Sequence, residues 1–212
     1  MYLPSHFAQN DRPTLHALIR DHPLAALVTQ GPDGPTADHV PLELDASVGE
    51  HGMLRGHVAR ANPLWQRAEG QRVLAIFQGP QAYVTPSWYA TKAQTHQVVP
   101  TWNYAVVHAH GVLQVVHDAP WLHALVSGLT RHHEAPRAQP WAVADAPEDF
   151  VQNLLRAIVG IQIPLTQVVG KFKLSQNRNE ADRHGVVNGL AAGTAEEQNL
   201  AHLMRHHPPE TS

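Results

Sequence analysis

Hydrophobic and polar residues alternate over short segments in the first half of the chain, with the two-residue period of β-strands. Residues 24–29 form a mostly apolar segment that predicts a buried strand, and a turn rich in Gly and Pro at 31–35 separates it from a second strand at 39–44. This order predicts an antiparallel hairpin. Further segments predict a strand-rich block, and they lie at residues 53–58, 72–77, 82–85, 101–108 and 111–117. Gly79-Pro80 interrupts the block, so pairing there is expected in short pieces.

The three- and four-residue spacing of helices dominates elsewhere. Leu15, Leu18 and Ile19 predict a short amphipathic helix, and a second one is expected between Asn62-Pro63 and Gly70. After residue 117, two apolar stripes predict two helices separated by a loop rich in Pro and Ala at 133–147. The stripes consist of Trp121, Leu122, Leu125, Val126 and Leu129, and of Phe150, Leu154, Leu155 and Ile158.

The last part of the chain returns to strand and then to helix. Residues 159–174 predict one or two late strands, and Thr194 with Glu197 forms a capping box that begins a tail helix. The elements together predict a mainly β or α+β fold, a largely antiparallel barrel with peripheral helices. We expect a domain at 1–190 with a helical insertion around 118–158, followed by a helical tail at 191–212.

Composition excludes several classes of protein. The net charge of −3 gives no overall positive field for nucleic acid or anionic lipid. The absence of cysteine excludes disulfides, thiolate metal sites and thiol catalysis. The first residues lack a signal-peptide pattern, and no apolar run approaches the roughly 20 residues needed to span a bilayer. We therefore expect a cytoplasmic protein without membrane attachment.

Histidine is unusually frequent, with 17 residues against 15 lysines and arginines. His108 and His110 share one face of a predicted strand, but a metal site needs a third ligand that the sequence does not identify. No HExxH spacing occurs. We therefore predict no metal site, and a metalloprotein is the alternative.

Three polar residues surround the start of the short second helix. Arg60 and Asn62 precede it directly, and His57 lies just upstream. A helix start with an arginine beside it suits a phosphate group. The alternative is a helix cap at Asn62 beside a surface arginine.

The segment VPTWNY, residues 99–104, places different chemistry on the two faces of one strand. Trp102 and Tyr104 share a face, whereas Asn103 lies on the opposite, small and polar face. This arrangement suits a planar ligand with a polar rim. The alternative is a barrel strand whose aromatic face fills the core.

A late strand carries two positive charges on one face. Alternation places Lys171, Lys173 and Ser175 together, with Phe172 and Leu174 on the other side. Two lysines and a hydroxyl group fit an anionic ligand, and a solvated strand face is the alternative.

Five ordered segments together resemble the PaiB family of FMN-binding negative transcriptional regulators. They are MYLPSHF, GHVARANPLW, GPQAYVTPSWY, VPTWNY and KLSQNR, and the resemblance extends from Met1 to about Leu190. It implies an FMN-binding split β-barrel, normally a homodimer with flavin at the subunit interface. His57, Arg60 and Asn62 would lie near the phosphate, and Trp102, Asn103 and Tyr104 are candidates for the rest of the site. Lys171, Lys173 and Ser175 would come from the same or the partner subunit.

The resemblance and the charge of the chain disagree on DNA. A repressor needs a basic surface, yet the chain is mildly acidic and shows no basic helix-turn-helix. Regulation would then act through a small molecule or a protein partner.

Three hypotheses follow, and none of them assigns catalytic residues. The first is an FMN-binding regulatory protein. The second is a flavin-dependent oxidoreductase of the pyridoxine-phosphate-oxidase-like type. The third is a haem-binding split-barrel protein, for which the histidines offer axial ligands.

Overall fold

The computed structural model describes residues 1–207 and consists of helices and strands in mixed order. The α-helices are α1 Arg12–Asp21, α2 Leu64–Ala68, α3 Lys92–Thr95, α4 Ala119–Glu134, α5 Glu148–Arg156, α6 Glu180–Ala191 and α7 Ala195–His206. The strands are β1 Ala8–Gln9, β2 Leu24–Gly31, β3 Gly34–Pro41, β4 Glu43–Asp45, β5 Met53–Ala59, β6 Arg72–Val84, β7 Thr101–Val112, β8 Gln114–Val116 and β9 Ile158–Lys173. Short 3-10 turns lie at Ser5–Phe7, Pro86–Trp88 and Val143–Asp145.

Hydrogen bonds join the strands in the order β3-β2-β6-β7-β9-β5-β4, and β1 and β8 also pair with β9. The chain divides into two compact units. Unit 1 contains residues 1–18, 78–107 and 169–212, and unit 2 contains residues 19–77 and 108–168. Strands β6, β7 and β9 each contribute residues to both units.

Unit 2 contains the predicted hairpin. Strands β2 and β3 pair antiparallel, and Gly31 pairs with Gly34, so only Pro32 and Asp33 form the turn. On the other side of this unit β5 pairs antiparallel with β9, with Leu54, Gly56 and Val58 buried along β5. Their alternation with less buried residues confirms the strand period read from the sequence.

The two insertion helices also belong to unit 2, and here one predicted face is only partly correct, since Leu155 and Ile158 pack in the cluster as expected. Leu122 of α4 packs with Val151 and Leu155 of α5. Phe150 and Leu154, which the sequence places in the buried stripe, are instead 54% and 53% exposed. The pair Phe150 and Leu154 and the pair Val151 and Leu155 both keep helical spacing, so spacing alone cannot tell which pair faces the core.

Unit 1 contains α6, a helix that the hydrophobic pattern did not predict. Gly185 and Gly189 interrupt it, and glycine is unfavourable in the middle of a helix. A side chain at Gly189 would collide with the ring of Trp88, and one at Gly185 with the Trp88 carbonyl oxygen. The glycines therefore allow α6 to approach Trp88 closely, and this packing replaces the missing helix propensity.

The predicted break at Gly79-Pro80 is also wrong, because β6 continues through it. A Cβ atom at Gly79 would lie 3.2 Å from the carbonyl oxygen of Ala105, so glycine permits close approach of the neighbouring strand. The pairing of β6 with β2 covers only Leu74–Ile76. Pro80 lies beyond it, where its missing N–H costs no hydrogen bond to β2.

The tail helix begins as predicted. Thr194 accepts a hydrogen bond from the backbone N–H of Glu197, and the Glu197 carboxylate accepts one from the backbone N–H of Thr194. The predicted tail at 191–212 extends past the described residues, since 208–212 lie outside them. Within residues 1–207, no helix combines the length and apolar character needed to cross a membrane.

Candidate functional site

His57 lies on β5 in unit 2, directly opposite Gly160 of β9. Paired residues of antiparallel strands point to the same face, and a Cβ at Gly160 would touch the ring of Trp121. This ring therefore covers the sheet beside His57. The His57 Nδ1 atom is buried without a hydrogen-bond partner in the described residues, and burial lowers the pKa of His57. Burial thus favours the neutral form of His57.

Arg60 follows β5 and is held by the backbone of the segment between α5 and β9. Its Nε donates to the carbonyl oxygen of Arg156 at 2.7 Å, and its Nη2 to that of Ile158 at 2.8 Å. Carbonyl oxygens orient a guanidinium without neutralising it. Among the described residues, no carboxylate lies within 4.0 Å of Arg60.

Two other arginines of unit 2, unlike Arg60, lie close to carboxylates. Arg55 lies 3.3 Å from the Asp45 carboxylate, and Arg67 lies 3.6 Å from that of Asp38. Arg60 is exposed and keeps an uncompensated positive charge, with N–H donors beyond the two in use. It can therefore bind an anion without first losing an ion pair.

Asn62 stabilises the chain just before α2. Its Oδ1 accepts from the backbone N–H of Leu64 at 2.8 Å, and its Nδ2 donates to Asp38 at 3.0 Å. The residue at the cap position of α2 is Pro63, and α2 has only five residues. The capping alternative for Asn62 therefore has direct geometric support, while its contact with a ligand stays a prediction.

In unit 1, strand β7 has one polar and one aromatic face, as the sequence predicted. The exposure of its side chains favours a surface role for the aromatic face over filling the core. Asn103 is fully buried, whereas Trp102 is 49% exposed. The Trp102 ring lies 6.3 Å from the ring of Tyr83, and its Nε1 donates to Gln81. The aromatic face is therefore open at Trp102.

Lys171 and Lys173 lie on the same face of β9 in unit 1. Lys171 is only 8% exposed, and its Nζ donates to the Tyr2 carbonyl oxygen at 3.0 Å. Its ammonium group also lies 5.6 Å from the ring centres of Tyr2 and Tyr104. The Nζ of Lys173 donates to the Trp102 carbonyl oxygen at 2.6 Å and to the Thr101 hydroxyl group.

Ser175 lies just beyond the strand that carries the two lysines. Strand β9 ends at Lys173, and Ser175 has a φ of 63°, in the left-handed region. Its hydroxyl group accepts a hydrogen bond of 2.8 Å from Asn103. Ser175 therefore pairs with Asn103 instead of with the two lysines.

The structure thus divides the nine predicted site residues between the units. Unit 2 holds His57, Arg60 and Asn62, and unit 1 holds Trp102, Asn103, Tyr104, Lys171, Lys173 and Ser175. The predicted set left out Tyr2 and Thr101, which lie in the segments MYLPSHF and VPTWNY and contact the lysines from distant parts of the chain. It also left out Arg178, whose charge acts on Lys173, although Arg178 lies in the quoted KLSQNR segment.

Histidine clusters in the described part of the chain do not form a metal site. His108 and His110 have ring centres 6.5 Å apart. Residues 1–207 contain no group of three or more His, Asp or Glu side chains that could hold a metal ion.

Comparison with known proteins decides the family. Residues 1–167 match the family described as a putative FMN-binding domain. The chain belongs to this FMN-binding domain family. The matched range includes six of the nine candidate residues, whereas Lys171, Lys173 and Ser175 lie beyond it.

Two relatives are similar over nearly their whole length. An uncharacterised protein of Emericella nidulans is 36% identical, with 97% of this chain and 96% of the relative covered. The protease synthase and sporulation protein PAI 2 of Bacillus subtilis is 31% identical, with 90% and 89% covered. The resemblance to the PaiB family is thereby confirmed.

A solved structure confirms the fold. The flavocytochrome Anf3 of Azotobacter vinelandii superposes with a TM-score of 0.57 at 15% identity, covering 84% of this chain and 75% of that one. The mainly antiparallel α+β split-barrel prediction is correct. The family supports a flavin cofactor.

Proposed function

We propose that this protein binds FMN and that Arg60 binds the flavin phosphate. The observation that carries the proposal is an exposed guanidinium without a carboxylate partner among the described residues, inside the range that matches the FMN-binding domain family. A phosphate accepts charge-assisted hydrogen bonds from guanidinium N–H groups. Riboflavin lacks the phosphate, so Arg60 would favour FMN over riboflavin.

The two carbonyl contacts give Arg60 its role in binding. They fix the direction of the side chain before the ligand arrives, so less side-chain entropy is lost on binding. The unused Nδ1 atom of His57 adds a neutral hydrogen-bonding group on the preceding strand. These residues therefore fit a polar, anionic cofactor such as FMN, which would supply a ring able to accept and donate electrons.

We further propose that the protein acts as a PaiB-like regulator and forms a homodimer. The support is its 31% identity to PAI 2 over 90% of the chain. With a net charge of −3, it lacks the overall positive field that helps repressors bind DNA. Control through a flavin-linked change or a small-molecule ligand fits this charge better than strong direct binding to DNA.

The absorbance spectrum of the purified protein after addition of FMN and removal of free ligand tests the cofactor. We expect retained flavin bands, at about one FMN per chain. A haem Soret band in their place would support the haem-binding alternative, and absence of both would contradict cofactor binding.

Two assays on the flavin-loaded protein separate regulator from enzyme. A regulator is expected to shift its own promoter fragment in a gel, or to bind a partner, in a flavin-dependent way. Steady turnover with a nicotinamide donor and an acceptor, without any such binding, would favour the flavin-dependent oxidoreductase. Sedimentation analysis of the same sample tests the homodimer.

A further inference from the structure

We propose that unit 1 carries a second anion site, separate from the flavin phosphate site, in which Lys171 and Lys173 bind the phosphate or carboxylate group of a small molecule. The lysines lie in unit 1 and beyond the matched residues 1–167, whereas Arg60 lies in unit 2. Phosphate and acetate alone test the lysine site, so the outcome does not depend on FMN binding.

The distribution of lysine makes this pair unusual. The chain has only three lysines, Lys92, Lys171 and Lys173, and relies on arginine for its other strong positive charges. Lys92 is exposed, as lysine normally is, whereas Lys171 is buried and Lys173 half-buried. Two of the three lysines therefore lie where lysine is least favourable.

The charge of this pair is not compensated within the described residues. No carboxylate of residues 1–207 lies within 4.0 Å of either ammonium group. The neighbouring Arg178 adds a third positive charge, and burial together with Lys171 and Arg178 lowers the pKa of Lys173. Buried charges are normally paired, so such a concentration of positive charge calls for an anion.

The groups around the pair hold it in place without neutralising it. The carbonyl oxygens of Tyr2 and Trp102 and the hydroxyl group of Thr101 accept from the two lysines. Each ammonium group has three N–H donors, so Lys171, with one such bond, keeps two for a ligand, and Lys173 keeps one. The pair therefore keeps three N–H donors that these bonds do not use.

Aromatic residues next to the pair indicate the rest of the ligand. The rings of Tyr2 and Tyr104 lie beside Lys171, and the half-exposed Trp102 follows Thr101 on β7. Flat, partly exposed rings bind the apolar body of a small organic molecule. A small organic acid or phosphate ester has both features.

Selective labelling of lysine with ¹³C at Cε gives a direct test, because the intact chain should show only three signals. Sodium phosphate and sodium acetate are titrated separately, with chloride adjusted to keep the ionic strength constant. We expect the Lys171 and Lys173 signals to move and reach saturation, while the Lys92 signal stays in place. Response to phosphate or to acetate identifies which anionic group the site prefers.

Variants assign the signals and provide the control. Lys92→Met removes one signal from an exposed site and should leave phosphate binding unchanged. Lys173→Met should weaken phosphate binding about tenfold or more, the effect of losing a charge-assisted hydrogen bond. If Lys173→Met does not fold, the wild type and Lys92→Met still show whether the paired signals respond.

Three results would overturn the proposal. The first is no movement of the paired signals with either anion. The second is a proportional, unsaturated movement of all three signals, which indicates general ion effects. The third is displacement of FMN by phosphate at the lysines with no effect of Arg60→Met on FMN binding, because the lysines would then be the flavin phosphate site. Failure of FMN to bind at all would leave the lysine titration unaffected.

Discussion

Positive charge lies at the end of β5 in unit 2, where it is exposed, and near the end of β9 in unit 1, where it is largely buried. Each region holds this charge with backbone carbonyl oxygens and without a carboxylate in the described residues. Arg60 remains exposed, so water can solvate it when no ligand is present. Lys171 is buried and has already lost most of its water.

Because of this difference in exposure, a bound anion should affect the stability of the two regions differently. An exposed arginine can contribute to binding at little cost to the free protein, because it stays hydrated until the ligand arrives. Buried lysines lower the stability of the empty protein, and an anion removes that penalty. The first region is therefore expected to be stable without ligand, and the second to gain stability on binding.

Substitution of one asparagine in each unit is expected to give the largest changes in stability. Asn103→Ala removes a fully buried side chain and its hydrogen bond to Ser175, and should lower the free energy of unfolding by about 2–3 kcal/mol. Asn62→Ala removes a side chain that bonds the backbone at the start of a helix, and should cost about 1 kcal/mol. Urea unfolding of both variants measures the two values. A larger loss of stability for Asn62→Ala than for Asn103→Ala would contradict this ranking.

The charged residues should differ in the direction of their effect on stability. Arg60→Met removes two hydrogen bonds to backbone carbonyls and should lower the free energy of unfolding by about 1 kcal/mol, since the group is exposed. Lys173→Met removes a half-buried charge and should leave stability unchanged or raise it. Thermal unfolding without added phosphate compares them, with Lys92→Met as control. A greater loss for Lys173→Met than for Arg60→Met would contradict the comparison.

The smallest expected effect is a change in pH dependence. The pKa of His57 is lowered by burial, so the folded state binds its proton less tightly than the unfolded state. Its contribution to stability is complete above the ordinary pKa of 6.5 and is lost as the pH falls through the lower folded value. His57→Gln should make the loss of stability on this acid side shallower. In Lys173→Met, the pH dependence of stability should change on the alkaline side instead, because burial lowers the pKa of Lys173. If the slope of stability against pH on the acid side is unchanged in His57→Gln, His57 does not contribute.

The sequence predicted most of the strands and the helices at both ends of the chain, because the period of two or 3.6 residues is local. It also placed Trp102 and Asn103 on opposite faces of β7. It could not predict α6, which depends on contact of Gly185 and Gly189 with Trp88, almost 100 residues away. Nor does alternation apply to Ser175, because it lies beyond the last residue of β9 and has a left-handed backbone conformation.

The same limit applies to the candidate sites. The sequence singled out Arg60, Lys171 and Lys173 as groups for anions. It could not show that Arg60 is held by the carbonyl oxygens of Arg156 and Ile158, since these lie 96 and 98 positions away. The distinction between paired and unpaired arginines requires the folded chain.

The affinity of Arg60→Met for FMN and riboflavin, compared with that of the wild type, tests the central claim most directly. Flavin fluorescence titration measures both ligands. Lys92→Met is the control, and Lys173→Met shows whether the lysine pair binds the flavin phosphate instead. We expect the wild type to prefer FMN, and Arg60→Met to lose about 10- to 100-fold in FMN affinity with little change for riboflavin, the value of a charge-assisted contact. Equal losses for both ligands, or a loss of FMN preference only in Lys173→Met, would contradict the assignment of the flavin phosphate to Arg60.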